Sequence, residues 1–208
     1  MPSQAPSAIT TFPSSLPLPR ILTGNRVVVR QYVDADAQSI LDAVDESRVA
    51  LKRWMPWVDS VRTVADRLDY IRKCQAQFLA PQADLVYGMF DLNGRYLGGT
   101  GLHRINWSTP SFEMGYWLRL SAHGQGFVTE ATRLLTLACF ETLGAARVEI
   151  RCDIANEKSA NIPKRLGFNQ EAILRSERRN SSQELSDTLL FALTWDDWRS
   201  RLQQTSAK

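Results

Sequence analysis

The sequence is poor in the residues that bind transition metals. It holds two histidines, His103 and His123, and three cysteines, Cys74, Cys139 and Cys152. The cysteines are odd in number and widely spaced, so neither a disulfide framework nor a zinc site has the spacing it needs. Each reads as a buried thiol in a reducing compartment. Long apolar runs are missing as well: none approaches the ~18–20 residues of a membrane span. Strong charge of one sign is absent. The formal net charge is +3, too small to imply a nucleic-acid partner by itself. Acid is missing from the first twenty residues, MPSQAPSAITTFPSSLPLPR, which carry five prolines and four serines. Such a segment cannot form a core, and residues 1–20 are expected to be a flexible tail. Recurrent proline and the lack of an unbroken apolar centre exclude a secretory signal. The expectation is a soluble, cytoplasmic protein that works on neither membrane nor nucleic acid.

What remains is ordinary globular composition, 44% hydrophobic and 23% charged. That suffices for one core over residues 21–208 and not for two. Arg26–Arg30 reads as a strand after a Gly24-Asn25 turn. Asp34 caps a helix through about Ser47, with Ala35, Ile40, Leu41 and Val44 on its apolar side. Leu51–Trp57 is an aromatic link broken by Pro56. Thr63 to about Ala80 is a second helix. Strands follow at Leu85–Phe90, Tyr96–Ile105 and Phe112–Leu118, the first two joined by an Asn93-Gly94 turn. Val128, Ala131, Leu135 and Ala138 step as one helical face, which Gly144 ends. Arg147–Cys152 alternates as a strand, Asn156–Arg165 is a short helix, and Ala172–Leu174 and Ser186–Thr194 are two last strands. This order predicts a mixed α/β sheet with helices on its faces.

The stretch HGQGFVTEA, His123–Ala131, joins a strand to a helix through two glycines. The first turn of a helix presents unpaired N–H groups and about half a positive charge, so an anion can dock there. A nucleotide P-loop needs a longer glycine loop and a Lys-Ser/Thr pair, and Val128-Thr129 stands here instead. A dinucleotide fingerprint needs a third glycine in a βαβ unit near the start. A purely structural turn remains the alternative on the glycines alone.

Later residues narrow this. Asn156-Glu-Lys-Ser159 and Asn161-Ile-Pro-Lys-Arg-Leu-Gly-Phe168 follow the next strand. Together with the glycine turn they resemble the GNAT superfamily of acyl-CoA N-acyltransferases. Within it the chain resembles the ribosomal-protein N-acetyltransferases of the RimJ and RimL type. Four further stretches carry that likeness: Leu51–Trp57 (LKRWMPW), Glu113–Leu118 (EMGYWL), Gly167–Arg175 and Asp196-Asp-Trp198. The resemblance spans roughly Leu22 to Arg201. Two positions depart from it: His123 stands where the family has Gln or Arg, and Val128 where it has Gly or Ala. The role of the His123 side chain stays open.

The resemblance implies a mostly antiparallel sheet splayed at its middle strands, and direct acetyl transfer from acetyl-CoA to an amine in a ternary complex, without a metal. The turn His123, Gly124, Gln125, Gly126, Phe127, Val128, Thr129 would seat the pyrophosphate. This explains the missing lysine: the pyrophosphate of coenzyme A is a handle, not the transferred group, so neutral N–H donors suffice. Glu113 is the expected general base, acting through a water, and a solvent-facing carboxylate is the alternative. A backbone N–H near Trp117 or Leu118 would meet the oxyanion. Ser159 would protonate the departing sulfur, and Asn156 and Asn161 would hold the pantetheine arm; helix capping is their alternative. Trp54, Trp57 and Tyr116 would line the acceptor side, with core packing as the alternative for the tryptophans. Arg175, Arg178 and Arg179 form a basic cluster that could steer an acidic partner. The expected acceptor is a protein N-terminus, a ribosomal protein's among them, and the chain a monomer or homodimer. A small amine acceptor or a non-catalytic coenzyme-A-binding module are the competing readings.

Overall fold

The computed structural model describes residues 20–78 and 84–206. The expected tail thus lies outside the described residues except for Arg20. Eight strands form one sheet: β1 (Ile21–Thr23), β2 (Val27–Arg30), β3 (Leu85–Asp91), β4 (Tyr96–Asn106), β5 (Ser111–Leu118), β6 (Arg147–Asp153), β7 (Asn169–Arg179) and β8 (Leu185–Thr194). Their spatial order is β1-β2-β3-β4-β5-β6-β8-β7. Every neighbouring pair is antiparallel except β5 and β6, which run parallel. The helices are α1 (Ala37–Lys52), α2 (Val64–Gln77), α3 (Phe127–Glu141), α4 (Glu157–Arg165) and α5 (Trp195–Ser206). The architecture is the mixed, mostly antiparallel α/β sheet that the sequence implies.

Two cores lie on the two faces. On one, Val128, Ala131, Leu135 and Ala138 of α3 pack on Val27, Met89, Leu97, Phe112, Met114 and Ile150 of the sheet. These are the helical-face residues the periodicity picks out. On the other, Ile40, Leu41, Val44 and Leu51 of α1 and Ile71 of α2 enclose Tyr32, Phe90 and Tyr96. Burying an aliphatic side chain of this kind contributes about 1.5–3 kcal/mol. Strand β5 divides the two cores. Phe112 and Met114 face α3, and Trp117 packs with the α1 and α2 cluster.

Several boundaries differ from expectation. β1 is an added edge strand too short to show periodicity, pairing Ile21–Thr23 with Val28–Arg30. Asp34–Asp36 is a single 3-10 turn, and α1 runs on to Lys52, so Leu51 closes a helix rather than opening a link. β7 spans eleven residues, which puts Arg175, Arg178 and Arg179 on a strand. The closing helix α5 was not expected. Its start is a capping box: Asp197 N–H bonds Thr194 Oγ1 at 3.2 Å, and Thr194 N–H bonds Asp197 Oδ2 at 3.1 Å. The Thr194-x-x-Asp197 pattern announces it.

Candidate active site

Strands β5 and β6 pair only over Ser111–Glu113 and Arg147–Glu149. Beyond that both continue, β5 to Leu118 and β6 to Asp153, without pairing each other. The sheet forks there, and the facing edges of both strands are open. A cleft of about 740 Å³ lies at the fork, bordered by the end of β5, the glycine turn and α4.

The turn is shaped by its glycines. Gly124 and Gly126 have φ of +75° and +81°, a region open to glycine and strained for other residues. Gly126 is also the N-cap of α3. The first helical bond runs from Glu130 N–H to the Gly126 carbonyl. Among the described residues, the N–H groups of Gly124, Gly126, Phe127, Val128 and Thr129 have no protein acceptor. They form the anion seat that helix geometry favours.

Arg26 braces this seat from β2's side. Its N–H and Nε bond the Glu130 carboxylate at 3.0 and 3.3 Å, and its Nη1 bonds the Gln125 carbonyl at 2.9 Å. The Gln125 side chain turns away from the cleft and donates to the Ser121 carbonyl at 3.1 Å. Gln125 thus serves the turn and does not line the cleft. His123 Nε2 lies 3.1 Å from the Leu118 carbonyl, tying the turn to the end of β5. That is the answer the sequence left open, although the ring also borders the cleft. From α4, Lys158, Asn161, Ile162 and Arg165 complete the wall. Their spacing of three, four and seven is one helical stripe, a signal that could have added Lys158, Ile162 and Arg165 to Asn161.

A second cavity of about 90 Å³ adjoins the cleft, and Trp54, Met55, Tyr116, Asn156 and Ser159 border both. At their junction the Tyr116 hydroxyl donates to the Ser159 carbonyl at 3.0 Å, and the Ser159 hydroxyl donates to the Tyr116 oxygen at 3.4 Å. Burial raises the Tyr116 phenol above its ordinary value, so it stays protonated. Asn156 caps α4, its Oδ1 accepting from Ser159 N–H at 3.1 Å. Burial also pushes the Cys152 thiol at this cavity up to about 11.

Two candidates lie elsewhere. Trp57 packs in the α1 and α2 core, 5.7 Å from the Trp117 ring, with Nε1 on Met55 Sδ at 3.2 Å. It is a packing residue, and Trp54 is the one at the cavities. Glu113 lines neither cavity. It sits at the last paired position of the fork, between Arg104 and Arg151, each at 3.3 Å. The parity of β5 explains this: Tyr116 and Glu113 are three apart, so they face opposite sides of the sheet. Arg151, Asp153 and Arg178, which do line the small cavity, were not foreseen as site residues. Among the described residues Asp153 is the one carboxylate lining either cavity.

The chain as a whole is similar to known proteins. The family model described as acetyltransferase (GNAT) domain matches residues 26–169. The chain is 28% identical over 193 residues to the ribosomal protein uS5-alanine N-acetyltransferase of Escherichia coli (strain K12), covering 90% of this chain and 96% of that one. Two solved structures share the fold. Ribosomal L7/L12 alpha-N-protein acetyltransferase RimL, in complex with coenzyme A, aligns at a TM-score of 0.78 and 17% identity, over 85% of this chain and 99% of its own. The microcin C7 self-immunity acetyltransferase MccE, in complex with acetyl-CoA and AMP, aligns at 0.76 and 19%, over 82% and 93%. With a family match that runs from the brace at Arg26 through the forked strands and α4, the chain belongs to the GNAT family and is an N-acetyltransferase.

Proposed function

We propose that the protein transfers an acetyl group from acetyl-CoA to the α-amino group of a protein N-terminus, by direct transfer in a ternary complex. One observation carries this: a large cleft bordered by a main-chain anion seat meets a small cavity at Tyr116 and Ser159. The cleft suits a long phosphorylated donor, and the small cavity suits the end of an acceptor. The likeness to a ribosomal-protein-alanine N-acetyltransferase supports a ribosomal acceptor.

Bound acetyl-CoA supplies the activated acyl group. The N–H groups of Gly124 and of residues 126–129 would seat its pyrophosphate, and Lys158 and Arg165, which also line the cleft, would add favourable charge beside these neutral donors. Asn156 and Asn161 border the stretch between seat and junction. The open edge of β5, at Trp117 and Leu118, offers main-chain N–H to a developing oxyanion. Ser159 donates its hydroxyl proton to the departing sulfur and is reprotonated from solvent, while the Tyr116 hydroxyl, bonded to the Ser159 carbonyl, holds it in place. The amine proton leaves through water in the small cavity to Asp153, to which we assign the role first given to Glu113. Asp153 is 3% exposed and accepts from Ala155 N–H at 2.9 Å and Ser186 Oγ at 2.7 Å, which fixes its carboxylate. Glu113 instead orients Arg151. Trp54 walls the junction.

A small amine acceptor is the second reading, favoured by a cavity of about 90 Å³, room for roughly three waters. Thiol release from acetyl-CoA, measured with N-terminal peptides, with amino acids and polyamines, and with no acceptor, separates the two. Turnover with peptides is expected. Turnover with small amines alone would refute the N-terminal reading, and tight coenzyme binding without any turnover would refute catalysis.

A further inference from the structure

The small cavity has an imbalance of charge. Three ionisable side chains line it: Arg151, Asp153 and Arg178. Arg151 faces three carboxylates, Glu113 at 3.3 Å, Glu149 at 3.2 Å and Glu177 at 3.7 Å. Asp153 has its two donors. Arg178 has one contact, Nη2 with the Trp54 carbonyl at 3.4 Å, and among the described residues no carboxylate partner. A guanidinium presents five donors in a plane that matches a carboxylate, so Arg178 is part-buried with most of its capacity unspent. Arg53, against the Trp54 ring at 4.6 Å, likewise has no acid partner among the described residues.

The backbone is bent to put Arg178 there. β7 and β8 pair at Leu174 with Thr188 and again at Arg178 with Ser186. Three residues of β7, 175–177, therefore stand opposite the single Asp187. Ser176 takes a φ of +53° in this bulge, and Asp187 Oδ1 holds its N–H at 2.9 Å. A left-handed serine is uncommon, and bulges recur beside active sites because they re-aim side chains.

The geometry points to Arg178 as a specificity residue that reads a carboxylate on the acceptor, next to the amine being acetylated. Resting on the N-terminal reading above, the acceptor is a chain whose second residue is Asp or Glu. The cavity holds only the terminal residue, and the carboxylate that follows meets the guanidinium bidentately.

Steady-state acetylation of paired peptides, Ser-Asp- against Ser-Asn- and Ser-Lys-, with the wild-type enzyme and with Arg178→Gln and Arg178→Glu, tests this. The wild type should favour the acidic peptide roughly 10-fold to 100-fold in kcat/KM, mainly through KM, as expected for hydrogen bonds to a charged group. Arg178→Gln should abolish the ratio, and Arg178→Glu should invert it toward Ser-Lys-. Inversion cannot come from a misfolded variant. Equal use of the three peptides by the wild type, or a preference that survives both substitutions, overturns the inference. Free aspartate and serine form a further arm. If they alone are acetylated, and with the same dependence on Arg178, the recognised carboxylate is the acceptor's own; the N-terminal reading then falls and the role of Arg178 stands.

Discussion

The two cavities that meet at Tyr116 are built from different materials. The long cleft is made of main chain at its anion end: two left-handed glycines, a helix start and N–H groups without protein acceptors. The small cavity is made of side chains drawn from five separate segments, with Trp54, Tyr116, Arg151, Asp153, Ser159 and Arg178 around it. A main-chain seat binds any ligand that carries the right phosphates, and it tolerates change in its side chains. A side-chain cavity can be altered one residue at a time. On the proposed function, the donor side would tolerate side-chain change and the acceptor side would respond to it, as one fold serving many acceptors requires.

The comparison can be broken at the junction. Ser159→Ala removes the proposed proton donor and should lower kcat about 100-fold with little change in the KM for acetyl-CoA. Turnover within about twofold of wild type would remove Ser159 from the mechanism. The two tryptophans sharpen it. Trp54→Ala should raise the acceptor KM several-fold and leave thermal stability nearly intact. Trp57→Ala should do the reverse, with a loss of about 2 kcal/mol in denaturant unfolding from the emptied contact on Trp117. Exchanged outcomes would mean that the wrong tryptophan faces the acceptor.

The smallest effect concerns the mounting of the turn. Glu46 on α1 accepts from the Arg119 guanidinium and from Ser121 N–H, and the Arg119 bond, first among these, lowers its pKa from 4.5 to about 2. A carboxylate depressed in the folded state stabilises above its unfolded value and loses that contribution as pH falls. Glu46→Gln should therefore lower the Tm by a few degrees at pH 7, and the gap should close between pH 4.5 and 2. A gap that persists at pH 2 would contradict the ion-pair account.

What could be read in the sequence follows the same division. The order of the strands, the α3 face and the glycine turn were legible because each is encoded locally, by alternation, by helical spacing or by a residue that must take positive φ. The family resemblance pointed to Asn156 and Ser159, and both border the two cavities. Glu113 shows where this stopped. It lies at the fork, but strand parity turns it to the face opposite Tyr116, where Arg104 and Arg151 from two other strands pair with it. Arg178 was noticed only as part of a basic cluster. Its entry into the cavity depends on a bulge at Ser176, held by Asp187 eleven residues beyond that serine. Trp54 and Trp57 are three apart in one short segment, and only packing separates their roles.

The central claim is that donor and acceptor are held by independent parts, and coenzyme A affinity measured calorimetrically in two variants tests it directly. Gly126→Val puts a branched side chain at φ +81°, with its Cβ 3.0 Å from Arg26 Nη2, whereas Arg178 lines the small cavity and not the cleft. The account expects Gly126→Val to weaken coenzyme A binding about 10-fold or more, consistent with a strain of roughly 1–3 kcal/mol, while Arg178→Gln binds within about twofold of wild type. Equal losses in both variants, or a loss in Arg178→Gln alone, would contradict it.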